Sequence, residues 1–530
     1  MRCKAPLPCY TYLNIMALAA LHFVLVGLYL LTLGVLTIYG MHRYVQVYLY
    51  WKHHRKTPAA AGTFEELPQV TVQLPMYNEM YVVRRIIEGA CGLDYPREKL
   101  QIQVLDDSTD ESAGIAQECC EEMRRLGHNV QYIHRTNRQG YKAGALTNGL
   151  AHATGEFIVI FDADFVPAKE MLKKSIHFFT DPNVGCVQTR WDHMNRMDSL
   201  LTKCQAIFLD GHFMIEHTAR NRSGRFINFN GTAGTWRRKA IDDSGGWQHD
   251  TLTEDVDLSY RAQLRGWQFV FLPEVLAPAE LPPEIVGFKQ QQHRWTKGQV
   301  QTAVKLLPTI LKASLPWKVK AEAFFHLTCP AVYLPAVVLS LILFPVWFVD
   351  PELFTVSKSA LMAMVIASFC GLLTASAGTF YMLSQKAVGR SQWRTFLMVP
   401  MLMGLGMGIC VMNALAVLEG LFGRQDTEFV RTPKYGSEGR GTGWKKKAGT
   451  YNKKKLSLLP FVEIGFGLYL AVCAVAAIWM WQAWGTVPFL LIFSFGYLYV
   501  GGLTVHGRWV AERSRAETEA VVERADAMAA

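Results

Sequence analysis

Four predominantly apolar stretches, Leu13–Met41, Ala321–Val349, Ser359–Leu383 and Leu456–Met480, are each long enough to cross the hydrocarbon core of a bilayer as an α-helix, which takes about 20 residues. Val487–Val505 makes a fifth, and Phe396–Phe422 has the length for a sixth but carries Gly404, Gly406 and Gly408. The first stretch exceeds the apolar core of a secretory signal, about 7 to 15 residues, and is expected to stay as an anchor. Hydrophobic residues make up 50% of the chain, which excludes a wholly soluble enzyme.

Residues 56–320, between the first two spans, hold most of the acidic side chains and form the polar block of the chain. The basic run Lys52–Lys56 just after the first span puts this block in the cytoplasm by the positive-inside rule. Arg424–Lys455, with Lys445–Lys447 and Lys453–Lys455, belongs on the same side. Spans two and three bring the chain back there, and a further crossing at Phe396–Phe422 would put Lys445 outside. That segment is therefore expected to be interfacial or re-entrant, leaving five spans, with six as the fallback. The net charge of +10 suits rims facing anionic lipid, and no basic, aromatic-interleaved segment argues for nucleic acid. The 11 cysteines include no CxxC pair and read as reduced. Asn221-Arg-Ser223 matches a glycosylation sequon but falls in the cytoplasmic block.

Inside that block Val70–Leu74, Gln101–Leu105, Val130–His134 and Phe157–Phe161 read as strands, with helices through Gly89, to Leu126 and over Lys142–His152 between them. Alternation of this kind predicts a parallel, doubly wound α/β sheet, whose ligands lie beyond the carboxyl ends of the strands. Phe157–Phe161 lacks polar alternation, as in a strand covered on both faces, and runs into Asp162-Ala-Asp164. In an extended chain Asp162 and Asp164 share a face. Two carboxylates on one side of a cleft can hold a hard divalent cation, which in turn can hold a diphosphate.

The other polar clusters each admit two readings. In Asp106–Glu111, Ser108 and Glu111 have the spacing of a capping box, whereas Asp106 and Asp107 are surplus to a cap and could accept hydrogen bonds from a uracil or a guanine. Tyr77, within Pro75–Glu79, could pack or stack on that base; Lys142 could open a helix in solvent or meet a diphosphate. Asn228–Thr232, continued to Trp236, is a small-residue loop that lets backbone approach a ligand closely. In Leu252–Asp257 the helix dipole alone favours Glu254 and Asp257, and a carboxylate there could equally be a general base. Gln290–Gly298 reads as an amphipathic helix whose Trp, Arg and Lys are ordinary interface anchors.

Taken together, Asp107, Asp162-Ala-Asp164, Thr253-Glu-Asp255 and Gln291-Gln-His-Arg294-Trp295 follow the order and spacing of the D, DxD, TED, QxxRW series, and the chain resembles a family 2 membrane glycosyltransferase. Val104–Asp110, Asn230-Gly-Thr232 and Phe429–Lys434 are similar to the cellulose synthase-like A (mannan synthase) branch and to bacterial cellulose synthase catalytic subunits, a resemblance that covers Val70 to about Lys434. It implies a GT-A-type, Rossmann-like domain inserted between the helices of a multi-pass membrane protein. The implied parts are an anchor over residues 1–56, the catalytic domain over 57–284, interface helices over 285–320, transmembrane or re-entrant helices over 321–422, a gating-like cytoplasmic loop over 423–455, transmembrane helices over 456–506 and a tail over 507–530. It implies nucleotide-sugar contacts from Tyr77, Glu79, Asp106, Asp107, Lys142 and Asp162, and a divalent cation, Mg2+ or Mn2+, on Asp162 and chiefly Asp164. Asp255 would be the catalytic base, Arg294 would neutralise the leaving diphosphate, and Trp295 would stack on the acceptor sugar, with Gln291 in the same catalytic set. Phe429–Lys434 resembles the loop that closes over the donor, with Arg431 where the F-x-V-T-x-K form has valine. No PilZ-like domain follows the last span, so control by cyclic di-GMP is not implied.

The implied activity is inverting and processive: a β-linked glucan or mannan polymerised from UDP-glucose or GDP-mannose at the cytoplasmic face and passed across the membrane. The expected partners are the nucleotide sugar, the growing glycan or a lipid acceptor, and membrane lipids, with no nucleic acid. The Ala-rich tail Ala516–Ala530 leans toward a bacterial inner membrane, and a Golgi membrane with a cytosolic domain fits as well. Two alternatives share the same motifs: transfer of a single sugar to a membrane lipid, and a catalytically idle nucleotide-sugar sensor.

Overall fold

The computed structural model describes residues 9–349, 360–423, 431–436, 457–479 and 484–529. The expected anchor is one helix, α1 (Cys9–His53), in which Phe23–His53 has the length and apolarity to cross a membrane. After it come β1 (Val70–Met76), α2 (Val83–Cys91), β2 (Leu100–Asp106), α3 (Ser112–Arg125), β3 (Val130–His134), α4 (Tyr141–His152) and β4 (Phe157–Ile160). These strands run parallel in the order β3-β2-β1-β4. Helices cover both faces: Val72, Ile102 and Val159 pack with Ile86 and Cys119 on one, Ile158 and Ile160 with Leu146 on the other. Met76, Asp106 and His134 are level in register, so the segments leaving β1, β2 and β3 emerge along one edge.

The second half of the sheet corrects the all-parallel expectation. It adds α5 (Met171–Ser175), β5 (Val184–His193), α6 (Leu200–Asp210), a π-helical turn (Gly211–His217), α7 (Thr218–Arg222), β6 (Gly234–Arg237), α8 (Arg238–Asp243), α9 (Glu254–Leu264) and β7 (Gln268–Ala279). The completed order is β3-β2-β1-β4-β6-β5-β7, with β6 antiparallel to both β4 and β5, and β5 parallel to β7. An antiparallel strand needs no helical crossover, so β6 can enter from the opposite end through the Asn228–Ala233 loop.

The interface helix is α10 (Ile285–Lys312). The expected second span is broken into α11 (Trp317–Thr328) and α12 (Tyr333–Val349) by a 3-10 turn at Cys329–Val332, where Pro330 has no N–H to donate. α13 (Ala360–Ala387) covers the third stretch. Over Phe396–Phe422 the chain forms α14 (Gln392–Gly408) and α15 (Cys410–Phe422), bent by 47°. The glycines there serve a close crossing: a Cβ on Gly408 would lie 2.3 Å from the Gly496 carbonyl oxygen in helix Val487–Ala529. Among the described residues, four helices have the length and apolarity to cross a membrane, or five spans if the bent pair counts as one. The basic runs at Lys445 and Lys453, and Phe429 of the gating-like loop, lie outside the described residues.

α10 is tied to helix Leu459–Trp479 by a buried ion pair, Lys289 Nζ standing 2.6 and 2.8 Å from the two Glu463 oxygens. Lys289→Met should lower stability by about 3–5 kcal/mol, because it strands a buried carboxylate. Lys289→Met with Glu463→Leu should recover most of that loss, as read by thermal unfolding in detergent.

Candidate active site

β4 ends at Ile160 and the chain turns at once. The Asp162 N–H donates to Thr232 Oγ1 (2.9 Å) and the Phe165 N–H to the Asp162 carbonyl (3.1 Å). Asp162 and Asp164 thus sit in a turn and not on an extended strand, yet both line one small cavity of about 70 Å3. Lys142, in the first turn of α4, donates to Asp162 (2.5 Å) and to the Gly231 carbonyl (2.8 Å) and lies 3.9 Å from Glu254. Burial works against its charge, but Asp162, Glu254 and Asp255 outweigh burial and hold its pKa up. Asp164 is 3% exposed; one oxygen bonds Lys434, and its Oδ1 has no hydrogen-bond partner. Burial pushes the Asp164 pKa up.

An adjoining cavity of about 110 Å3 is lined by Tyr77, Glu79, Asp107, Lys142, Asp162 and Arg294, among others. Asp107 already has a partner there, the Arg135 fork, at 2.8 and 2.5 Å. Asp106 is a correction: it is fully buried, and its oxygens accept from the Ser108 N–H (2.9 Å) and the Tyr132 hydroxyl (2.8 Å), so it shapes the loop and does not line the cavity. The capping box is another. Ser108 Oγ accepts the Asn78 N–H (2.8 Å), and Asp110 takes the Ser112 N–H (2.9 Å) where α3 begins. The Arg138 guanidinium lies 3.4 Å from the centre of the Tyr77 ring, a cation–π contact with the ring expected to stack on a base. Glu79 lies 3.3 Å from Arg431, and burial raises its pKa to about 7 against the pull of Arg431 and Lys434. Arg135 and Arg138 escaped the sequence reading, although both leave β3 at the edge where the acidic clusters gather.

α9 opens with Glu254, Asp255 and Asp257 in its first turn. Asp257 is committed to Arg261 (2.5 Å) and Lys305 (2.8 Å). Asp255 instead accepts the Val256 N–H on Oδ1 (2.9 Å) and turns Oδ2 toward Gly231. Burial first, then Glu254, raises the Asp255 pKa to about 7, against Lys142 and Arg294. From α10, Gln291, Arg294 and Trp295 line the 70 Å3 cavity together with Asp162, Asp164 and Asp255, so three of the four motifs meet in one place, with Asp107 in the adjoining cavity. A larger cavity of about 530 Å3 runs from Asp255, Gln291 and Trp295 to Tyr333 and Tyr381 between the membrane helices. Trp191, near the end of β5, lines both; its ring is 6.4 Å from that of Trp295, and its buried Nε1 has no partner. It lies outside the motif series, and nothing in the sequence marked it.

Residues 68–298 match the family described as glycosyltransferase like family 2. They form a family 2 glycosyltransferase domain. Its sheet is of the GT-A type, and the mannosyltransferase PcManGT from Pyrobaculum calidifontis, solved in complex with GDP-Man and Mn2+, shares the fold with a TM-score of 0.51 at 21% identity, over 76% of this chain and 99% of that one. In sequence the chain is similar to "Probable glucomannan 4-beta-mannosyltransferase 4" of Oryza sativa subsp. japonica, 43% identical over 261 residues, 48% of each chain. It is also similar to glucomannan 4-beta-mannosyltransferase 2 of Arabidopsis thaliana, 44% identical over 250 residues, 46% of this chain and 47% of that one. The chain spans about half the length of the curated relatives it matches.

Gly231 (φ +78°) and Gly224 (φ +70°) both hold left-handed backbone, but a Cβ on Gly231 would meet Asp255 Oδ2 at 3.0 Å while one on Gly224 would meet nothing within 4 Å. Gly224→Ala should cost about 1 kcal/mol of backbone strain. Gly231→Ala should cost more, because the loop that holds Lys142 must also shift, and differential scanning fluorimetry would show the larger fall in Tm.

Proposed function

We propose that the chain is an inverting, processive mannosyltransferase that builds a β-linked mannan from GDP-mannose and feeds it into a membrane corridor. The observation that carries this reading is a shared wall: Asp255 and Trp295 line both the small cavity that holds Asp162, Asp164 and Arg294 and the large one between the membrane helices. The mannosyl donor is supported by relatives named as glucomannan mannosyltransferases and a fold neighbour solved with GDP-Man. UDP-glucose is the other donor these residues allow.

The guanine lies toward Tyr77 and Asp107, and the diphosphate lies beside Lys142 and Arg294, whose charges offset the negative charge that develops as the glycosidic bond breaks. Asp255, once ionised, accepts the proton of the attacking acceptor hydroxyl. That oxygen bonds to the anomeric carbon from the face opposite the departing diphosphate, so a single displacement turns an α-linked donor into a β-glycoside. Trp295, with Trp191, flanks the acceptor sugar. A divalent cation, Mg2+ or Mn2+, fits at Asp164, whose buried Oδ1 lacks a partner, with Asp162 beside it. Among the described residues no third His, Cys, Asp or Glu completes a metal cluster, which leaves phosphate and water oxygens as further ligands. Bound there, the cation would offset charge on the diphosphate.

The Lys52–Lys56 run supports a cytosolic face for the catalytic domain. The relatives compared are plant proteins and lend no support to a bacterial inner membrane.

Membranes supplied with radiolabelled GDP-mannose should yield a ladder of β-mannanase-sensitive polymer, and Asp255→Asn should cut its formation about 100-fold or more. A single labelled glycolipid in place of the ladder would favour transfer to a lipid acceptor. The kcat/KM for the donor should rise about tenfold per pH unit below pH 7 and level off above, since only the ionised Asp255 can take the proton. Glu254→Gln removes a charge that raises this pKa and should move the rise to lower pH; Lys142→Met should move it to higher pH.

A further inference from the structure

His212 stands on the corridor side of the reaction centre, and nothing in the mechanism above uses it. It is carried by the π-helical turn Gly211–His217, a wide turn of a kind that recurs at functional sites. Gly211 lets this turn press against α13, where a Cβ would come within 2.6 Å of Phe380. His212 Nδ1 lies 2.9 Å from a Glu216 carboxylate oxygen and Nε2 lies 2.9 Å from Asn230 Oδ1, so each ring nitrogen faces an oxygen that accepts. The same amide is held from behind by His217 and Asn228, each at 3.1 Å. His217 is fully buried and bonded to the Asn228 carbonyl, so it is the fixed support, whereas the His212 side chain is 26% exposed. His212 lines the 530 Å3 cavity and not the 70 Å3 one, Asn230 lines both, and the next residue is Gly231, whose carbonyl accepts from Lys142 and whose α-carbon lies close to Asp255.

His212 faces a cavity whose far end, at Tyr333 and Tyr381, lies between membrane helices, and an ionisable side chain paired with a carboxylate at such a place is costly to keep there without a use. We propose that His212, oriented by Glu216, is an acceptor-positioning residue that seats the terminal sugar of the acceptor glycan on the corridor side of Asp255. Nδ1–H donates to Glu216 and Nε2–H to Asn230 Oδ1, so the ring offers a hydrogen-bond donor at Nε2. A sugar hydroxyl oxygen can accept from Nε2–H in place of Asn230 Oδ1, and Asn230 relays the fit to the loop that carries Gly231. The ligand class is the neutral, polyhydroxylated end of a glycan, and the inference rests on the transferase reading.

The test uses the full chain in lipid nanodiscs with GDP-mannose as donor and β-1,4-mannotetraose as added acceptor. His212→Ala should raise the KM for the tetraose at least tenfold while leaving the donor KM and the rate of GDP release to water within about twofold. Glu216→Gln should shift the acceptor KM the same way, and His212→Gln, which keeps a polar group near the Nε2 position, should recover part of the loss. An acceptor KM within twofold of wild type in both His212→Ala and Glu216→Gln overturns the assignment, as does donor hydrolysis that falls in step with transfer. Absence of GDP release by the wild-type chain would instead count against the transferase reading itself.

Discussion

A buried ammonium holds this site together. Asp162, Asp164, Glu254 and Asp255 line one cavity of about 70 Å3, and carboxylates crowded in a poorly screened space drive one another toward the protonated form. Lys142 bonds Asp162 and the Gly231 carbonyl and reaches Glu254, so one side chain fixes the start of α4, the turn after β4, the glycine loop and the start of α9. Lys434 on Asp164 and Arg294 from α10 add positive charge from the other sides. The compensation stops short of completeness: Asp255 and Glu79 keep pKa values of about 7, a range in which a carboxylate both releases and takes up a proton readily.

The membrane part supplies a wall of the same site. α10 carries Gln291, Arg294 and Trp295 into the cavity and, two residues before Gln291, anchors Lys289 on Glu463 of a spanning helix. His42 and Gln46 of the anchor helix meet Glu322 of α11 from another side. The position of the arginine and tryptophan relative to Asp255 is therefore set by the packing of membrane helices as much as by the sheet.

Much of this was legible in the chain. The first four strands, the carboxylates after β4, the acidic start of α9 and the Gln291–Trp295 segment each announce themselves by residue type and spacing, and the structure gathers them. What stayed hidden has physical reasons. Thr71 and Gln73 alternate with valines like an exposed strand face, but both are buried in a polar ladder with Gln101 (2.8 Å) and Gln103 (3.0 Å) that no local pattern reveals. Asp106 and Asp107 look equivalent in sequence, and only the Tyr132 and Arg135 partners distinguish them. The reversed direction of β6 depends on where its loop enters the sheet, and Trp191 acquires significance only when Trp295 arrives from a helix about 100 residues later.

Trp191, Asn230, Asp255, Gln291 and Trp295 belong to the small cavity and to the long one at the same time. In the proposed synthase, bond-making and product transit therefore share their side chains. A substitution among these five that alters how fast a sugar is joined will also alter how firmly the finished end is gripped. In such a synthase polymer length and catalytic speed are geared to one another, and natural variation or engineering can retune one without the other only by acting farther along the corridor.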